Sequence, residues 1–230
     1  MKHLSTKPKC IGIIMDGNRR WAKEAGRPSL DGHRQGYLKL REVMRWAKVA
    51  HIEYVIVYGF STENWNRAKS EVSYLMDLIR FVFRDELEDI IKEGIRIKCI
   101  GEENRLPKDI PDIFAEAEKR TSKNKDITLV AAISYGGRKE LVDAVNHILR
   151  TNGKHDISED DLSAALYTKD IPDPDLIIRT GGEMRTSGFL PYQSVYSELF
   201  FVKNHWPAFS RSDFNKVLDE FAARSRRFGV

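Results

Sequence analysis

IGIIMDGNRRW at residues 11–21 joins an apolar run directly to a charged turn. The apolar half predicts a buried β-strand, and Asp16 follows it where the chain turns toward a helix. In open α/β sheets, ligands bind outside the carboxyl ends of the strands. Gly17 permits close backbone approach to an anion, and Arg19 and Arg20 supply charged hydrogen-bond donors.

This turn has two interpretations. A carboxylate beside arginines can hold a Mg2+-diphosphate, because Mg2+ is usually bound by one or two carboxylates together with phosphate oxygens. Alternatively, Asp16 caps a helix and both arginines are solvated. The stretch alone leaves both interpretations open.

Further apolar runs alternate along the chain with segments of helical period. This alternation predicts an α/β fold with a mostly parallel sheet of six strands flanked by helices. The predicted strands are CIGIIM (10–15), YVIVYGF (54–60), IRIKCIG (95–101), ITLVAAIS (127–134), DLIIRTG (175–181) and SELFFV (197–202). Helices are predicted around an apolar stripe at 37–47 and over 109–123, 139–149, 158–166 and 211–224, with Ser158, Ser210 and Ser212 as candidate N-caps. No linker interrupts the pattern, so residues 1–230 are predicted to form one domain.

Composition restricts the classes of partner. The 38 basic residues nearly balance the 34 acidic ones, which argues against general nucleic-acid binding but permits local anion sites. Cys10 and Cys99 lie in apolar runs without metal-ligand spacing, so we expect buried free thiols in a reducing compartment. The absence of a signal-like or membrane-spanning segment predicts a cytoplasmic protein.

One predicted helix, over residues 71–91, is apolar on nearly every side of its middle. Such a helix is either buried in a core or lines an apolar cavity. The helix alone favours the core interpretation, because most apolar runs are core.

Two further polar segments follow predicted strands. FSTENWNR at 60–67 interleaves hydrogen-bonding side chains with Phe60 and Trp65. DLIIRTGGEMRTSGF at 175–189 sets Arg179, Arg185 and Ser187 among glycines, which suits a second diphosphate because guanidinium groups pair bidentately with phosphate oxygens. Three anion-binding strand ends at one sheet edge are hard to explain as solvated loops.

Taken together, these segments resemble the cis-prenyltransferases, whose best-known members are the undecaprenyl diphosphate synthases. The resemblance covers about residues 9–229, and its motifs fall in the expected order. They are MDGNRRWA (15–22), GH (32–33), YGFSTENWNR (58–67), EV (71–72), YGGR (135–138), DLIIRTGGE (175–183), SELFF (197–201), HWP (205–207) and RRFG (226–229).

The resemblance implies an enzyme that adds isopentenyl diphosphate units in cis to an allylic prenyl diphosphate with Mg2+ as cofactor. It implies Asp16 and Asn64 as catalytic residues, Asp16 and Glu198 as metal ligands, and a homodimer in which residues 227–229 reach the neighbouring active site. The implied substrate-binding residues are Gly17, Asn18, Arg19, Arg20, Trp21, Ser29, His33, Ser61, Thr62, Glu63, Trp65, Arg67, Arg179, Arg185, Thr186 and Ser187.

The resemblance also changes the interpretation of the apolar helix, which becomes one wall of a tunnel between sheet and helices. Gly59, Met76, Ile79 and Phe83 are hypothetical length-controlling positions along it. A product this apolar implies transient contact with a membrane, so a cytoplasmic enzyme peripheral at the membrane is expected.

Some positions depart from the family pattern. Ser29 stands where many members have an arginine, which leaves Arg27 or Arg34 as the replacement donor. Met184 replaces a histidine seen in some members, and FLPYQ at 189–193 replaces FLLWQ. The primer therefore stays open between farnesyl and geranylgeranyl diphosphate, and a polyprenyl carrier lipid such as undecaprenyl diphosphate is the expected product.

Three alternatives compete with this function. A trans-type synthase would carry a DDxxD motif, which the chain lacks. A non-catalytic or partner-dependent subunit would usually have lost the aspartate that is present here as Asp16. A short-chain cis-prenyl diphosphate synthase stays open.

Overall fold

The computed structural model describes residues 7–152 and 156–224. Its strands are β1 (Cys10–Ile14), β2 (Tyr54–Ser61), β3 (Ile95–Ile100), β4 (Ile127–Tyr135), β5 (Leu176–Arg179) and β6 (Glu198–Phe201). They form one sheet in the order β3-β4-β2-β1-β5-β6, and every pairing between neighbours is parallel. The predicted α/β fold with six mostly parallel strands is therefore confirmed.

β1 lies inside the sheet and is buried on both faces. Ile11 and Ile13 pack into the core on one face, whereas Cys10 and Ile14 pack into the core on the other. This double burial explains why the sequence shows a continuous apolar run there instead of alternation. In the sheet, β1 has β2 as its neighbour on one side and β5 on the other, so the strand order reverses at β1. Open α/β sheets bind ligands at such a reversal.

The helices agree with the predicted segments to within a few residues at most ends. They are α1 (Asn18–Glu24), α2 (Ser29–Val49), α3 (Lys69–Arg80), α4 (Leu87–Lys92), α5 (Ile110–Thr121), α6 (Gly137–Asn152), α7 (Glu159–Ala165) and α8 (Arg211–Ala223). Ser158 and Ser210 are confirmed as N-caps, while Ser212 lies inside α8. No helix in the described ranges is both long and apolar enough to cross a membrane.

The single helix predicted over 71–91 is wrong, because a π-turn at Phe81–Asp85 separates α3 from α4. The backbone N–H of Glu86 donates to the carbonyl of Phe81, five residues back. Val82 and Phe83 stay buried through the break. The apolar pattern therefore continues across the turn and gives no sign of it.

We expect Ser210→Ala to lower the free energy of unfolding by about 1 kcal/mol, because its hydroxyl accepts from the Asp213 N–H at the start of α8. Urea denaturation measures the change. Ser212→Ala is the matched control and is expected to change stability by less than about 0.5 kcal/mol. Equal losses from both variants would contradict the cap assignment.

Candidate active site

Asp16 lies just past the carboxyl end of β1, as predicted, and contacts two arginines. Its Oδ2 accepts from Arg179 Nη2 at 2.9 Å, and its Oδ1 lies 3.2 Å from Arg20 Nη2. Gly17 follows with a φ of 101°, a conformation that glycine adopts without strain. The backbone N–H of Trp206 donates to the Asp16 carbonyl, which ties this turn to the C-terminal part of the chain.

The charge of Asp16 is set by these neighbours. Partial burial raises its pKa, but the hydrogen bond from Arg179 and the charges of Arg179 and Arg20 outweigh burial, so the net pKa is lowered. Asp16 is therefore a carboxylate at neutral pH, and it is not a helix cap.

A polar cavity of about 550 Å3 opens beside Asp16. Its lining residues are Met15, Asp16, Gly17, Asn18, Arg19, Arg20, Lys23, Gly26, Arg27, Ser29, His33 and Arg67. Most of the predicted allylic-diphosphate residues are thus brought together. Arg27, one of the two predicted replacements for a missing arginine, lines the cavity together with Ser29, and Arg34 does not. Trp21 packs at the edge, where the Arg27 guanidinium lies 5.7 Å from its ring centroid.

Glu71, which the sequence places only in a motif, contacts three side chains of the polar cavity. Its carboxylate lies 3.3 Å from His33 Nε2, 3.0 Å from Arg67 Nη1 and 3.6 Å from Arg19 Nη1. The sequence shows only that Glu71 lies four residues after Arg67, the i, i+4 spacing at which side chains meet on a helix. Burial lowers the pKa of His33, and the hydrogen bond that its ring donates to Glu71 only partly offsets this, so the imidazole is mostly neutral at pH 7.

The segment predicted to bind a second diphosphate follows β5. Arg179 is 5% exposed, and its Nη1 donates to Ser187 Oγ at 2.8 Å and to the Arg185 carbonyl. Arg179 therefore bridges Asp16 and Ser187. The chain around it takes positive φ at Gly181, Gly182, Ser187, Gly188 and Leu190, which curls residues 181–190 around the guanidinium. The backbone carbonyl of Thr186 accepts from the Phe189 N–H and closes one turn of this curl. The Arg185 side chain is exposed beside Glu183.

The predicted segment at 61–67 forms a 3-10 turn over Thr62–Asn66 after β2. Asn64 Oδ1 accepts from the Ser61 N–H at 3.1 Å, and Trp65 Nε1 donates to Ser134 Oγ at 3.1 Å. Thr62 packs against the backbone at Gly136, whereas Glu63 is exposed. The turn is held rigidly, and Arg67 is the member of it that lines the polar cavity.

An apolar cavity of about 110 Å3 adjoins the polar one, and Met15, Asn18 and His33 line both. Its other walls are Gly36, Tyr37, Leu40, Val57, Gly59, Phe60, Leu75, Leu78, Ile79, Val82, Phe83, Leu129, Ala131, Ile133 and Trp206. Gly59, Ile79 and Phe83 were predicted to line a tunnel, while Met76, also predicted, is buried outside this wall. The cavity is smaller than the roughly 300–1,000 Å3 typical of ligand pockets, so a full tunnel stays a prediction.

Glu198 is not brought to the site within one chain. It begins β6 opposite Leu176, which pairs with Ile11 of β1, so it lies at the other end of the sheet from Asp16, roughly 16 Å along the strand direction. Its carboxylate contacts Arg224 at 2.7 Å. The predicted C-terminal motif at 227–229 lies outside the described residues.

Residues 14–229 match the family described as "Putative undecaprenyl diphosphate synthase". The chain belongs to the cis-prenyltransferase family. As a member it is a polyprenyl diphosphate synthase, which confirms the predicted enzyme class.

The chain resembles three characterised or solved proteins over almost its full length. It is 43% identical to the isoprenyl transferase of Thermotoga maritima, with 96% of this chain and 97% of that protein covered. It is 47% identical to the tritrans,polycis-undecaprenyl-diphosphate synthase (geranylgeranyl-diphosphate specific) of Pyrococcus abyssi, with 96% and 87% covered. It superposes with a TM-score of 0.91 on lavandulyl diphosphate synthase from Lavandula x intermedia in complex with dimethylallyl diphosphate, at 30% identity with 98% and 99% covered.

We expect Glu71→Gln to lower the pKa of His33 further below 6.5, because it removes a hydrogen bond and a charge that raise it. An NMR titration of the His33 ring measures this, with His33→Gln assigning the resonance. Since the folded pKa is depressed, His33 contributes stability above about pH 6.5 that is lost as the pH falls through the folded value. A His33 pKa above 6.5 in the wild type would contradict the assignment.

Proposed function

We propose that this enzyme extends an allylic prenyl diphosphate by repeated cis addition of isopentenyl diphosphate in a Mg2+-dependent reaction. The observation that carries the proposal is the junction of the two cavities at Met15, Asn18 and His33. A cationic cavity that opens into an apolar one matches a ligand with a charged head and a hydrocarbon tail.

The cationic cavity supports ionisation of the allylic substrate. As the bond to the diphosphate breaks, negative charge develops on the departing pyrophosphate, and the side chains of Arg19, Arg20 and Arg27 line the cavity that would hold it. The isopentenyl double bond then attacks the allylic carbon, and loss of a proton completes the addition. No protein nucleophile is required.

The donor set fits Mg2+. Among the described residues no three acidic, histidine or cysteine side chains form a metal cluster, but Mg2+ at a diphosphate needs only one or two carboxylates. Asp16 offers one, 30% exposed and surrounded by arginines that would hold the phosphate oxygens. A bound Mg2+ supplies positive charge to the leaving diphosphate.

Arg179 supports a second diphosphate, that of isopentenyl diphosphate, beside the first. Its guanidinium is anchored by Asp16 on one side and Ser187 on the other, and the exposed Arg185 lies on the same curled segment. The two substrates would thus share the Asp16–Arg179 pair, which brings their reacting carbons into one place.

We propose geranylgeranyl diphosphate as the preferred primer over farnesyl diphosphate. The Pyrococcus relative at 47% identity is named for geranylgeranyl diphosphate, and the same name recurs in Thermococcus kodakarensis at 44% identity.

The apolar product makes transient membrane contact the expected route of release.

We also propose a homodimer joined across β6. This strand is the edge of the sheet, and the apolar side chains near it, Val195 and Leu199, are 69% and 38% exposed, with Tyr196 at 61%. An uncovered apolar sheet edge is a surface that soluble proteins usually bury. The family resemblance likewise implies a homodimer.

We expect Asp16→Asn to reduce Mg2+-dependent elongation by at least about 10²-fold, because it removes the carboxylate while leaving an acceptor for Arg179. The assay incubates enzyme, Mg2+, radiolabelled isopentenyl diphosphate and, separately, farnesyl or geranylgeranyl diphosphate, and resolves the products by length. Asp219→Asn, an exposed carboxylate of α8, is the matched control and should retain activity. Absence of product from the wild type with every primer would favour a partner-dependent subunit.

The double variant Val195→Lys/Leu199→Lys is expected to shift the protein from dimer to monomer in analytical ultracentrifugation, because it places charges in the proposed interface. Val49→Lys, at a 64% exposed valine of α2, is the control and should leave the assembly unchanged. A dimer that persists in the double variant would place the interface elsewhere.

A further inference from the structure

Several polar side chains join α2 to the segment that contains the π-turn and α4. Arg41 Nη1 donates to Glu86 Oε2 at 2.7 Å, and Arg41 Nη2 donates to Glu93 Oε1 at 3.1 Å. Tyr37 OH donates to the same Glu86 oxygen at 3.2 Å. We call Tyr37, Arg41, Glu86 and Glu93 the clasp.

The clasp lies on the outer rim of the apolar cavity. Tyr37 belongs to both, because its ring lines the cavity while its hydroxyl contacts Glu86. On the opposite wall Val82 and Phe83 line the cavity within the π-turn, and Glu86 follows that turn directly. The Tyr37 ring also meets Phe81 edge-on, with the centroids 6.2 Å apart. The polar contacts of the rim therefore hold the two helical walls together.

The side chains of the clasp are charged and only partly screened by water. Arg41, Glu86 and Glu93 are 24%, 21% and 24% exposed. Burial raises the pKa of Glu93, but hydrogen bonds from Arg45 and Arg41 outweigh it and keep the pKa low. These side chains are less exposed than those of ordinary surface pairs, which contribute little.

The following step rests on the proposed function. A cavity of about 110 Å3 has to enlarge as the prenyl chain grows. The wall formed by the sheet, with Val57 and Leu129, is part of a parallel ladder and is rigid. The helical wall is interrupted by the π-turn, a local irregularity that is frequent at functional sites. Enlargement therefore requires α2 and the π-turn segment to separate, and the clasp resists that separation.

We propose that the clasp is a specificity determinant that limits product chain length by holding α2 against the π-turn segment. Chain growth stops when a further unit would require the clasp to open. Weakening the clasp lets the cavity enlarge further and gives longer products, whereas the diphosphate sites and the first addition are unaffected.

The test compares the double variant Arg41→Met/Glu86→Gln with the wild type. Neutralising both partners avoids leaving one half-buried charge unpaired. The matched control is Arg80→Met/Asp109→Asn, which removes an ion pair of similar length (2.6 Å) that joins the end of α3, just before the π-turn, to the start of α5. Products are resolved by length at equal turnover and equal substrate concentrations.

We expect the clasp variant to lengthen the mean product by at least one isoprene unit and the control to leave it unchanged. The rate of the first addition, measured in a single turnover, should stay within about twofold of the wild type. Products of unchanged or shorter length from a folded clasp variant would overturn the proposal, as would an equal shift in the control.

Binding provides a readout that does not depend on turnover. Non-hydrolysable prenyl thiodiphosphates of primer length and of product length serve as probes, and the clasp variant should bind only the longer one more tightly. If the double variant fails to fold, Tyr37→Phe, which keeps all charges, is tested in its place. It should lengthen the products by less than the double variant, and an unchanged product length would count against the clasp. A wild type that makes no cis product would refute the proposed function, whereas an active wild type with an insensitive clasp would refute only this inference.

Discussion

The ion pair between Arg179 and Asp16 is the contact on which the site depends. Arg179 ends β5 almost fully buried, and a guanidinium cannot shed its charge, so a carboxylate has to lie next to it. The parallel register supplies that carboxylate, since Ile14 pairs with Arg179 and the chain then turns so that Asp16 reaches across. Because Arg179 is buried and Asp16 is its carboxylate partner, this pair holds the two strand ends together.

From this pair the two regions proposed to bind diphosphate extend to either side. On the β1 side, Arg20 holds the second carboxylate oxygen of Asp16 and leads into the polar cavity. On the β5 side, Ser187 accepts from the same guanidinium, which fixes the curl at 181–190. Two diphosphates bound in these regions would lie on either side of one shared pair, which is the spacing that a bimolecular condensation needs.

The strands could be predicted from the sequence because each is a short apolar run that ends at a turn, and β1 is apolar throughout because both its faces are buried. The residues predicted to bind diphosphate could be placed at one edge of the sheet because they follow strand ends within a few positions. Glu71 could not, because its partners His33, Arg67 and Arg19 come from three segments that only the fold brings together. The π-turn also gives no sequence signal, since Val82 and Phe83 continue the apolar period through it.

The two halves of the site are held by different kinds of contact. Behind the diphosphate regions lies a buried network in which the Glu140 carboxylate accepts from Tyr135 and Gln193, and Gln193 fixes the end of the segment that carries Ser187. Ser134 and Ser187 both have a positive φ, a strained conformation for a residue other than glycine. Each is held in it by a hydrogen bond to its hydroxyl, from Trp65 to Ser134 and from Arg179 to Ser187. The apolar half instead has a helical wall broken by a π-turn and fastened at its rim by side chains alone. This asymmetry suits a reaction in which the charged groups return to the same position in every cycle while the hydrocarbon chain keeps changing length.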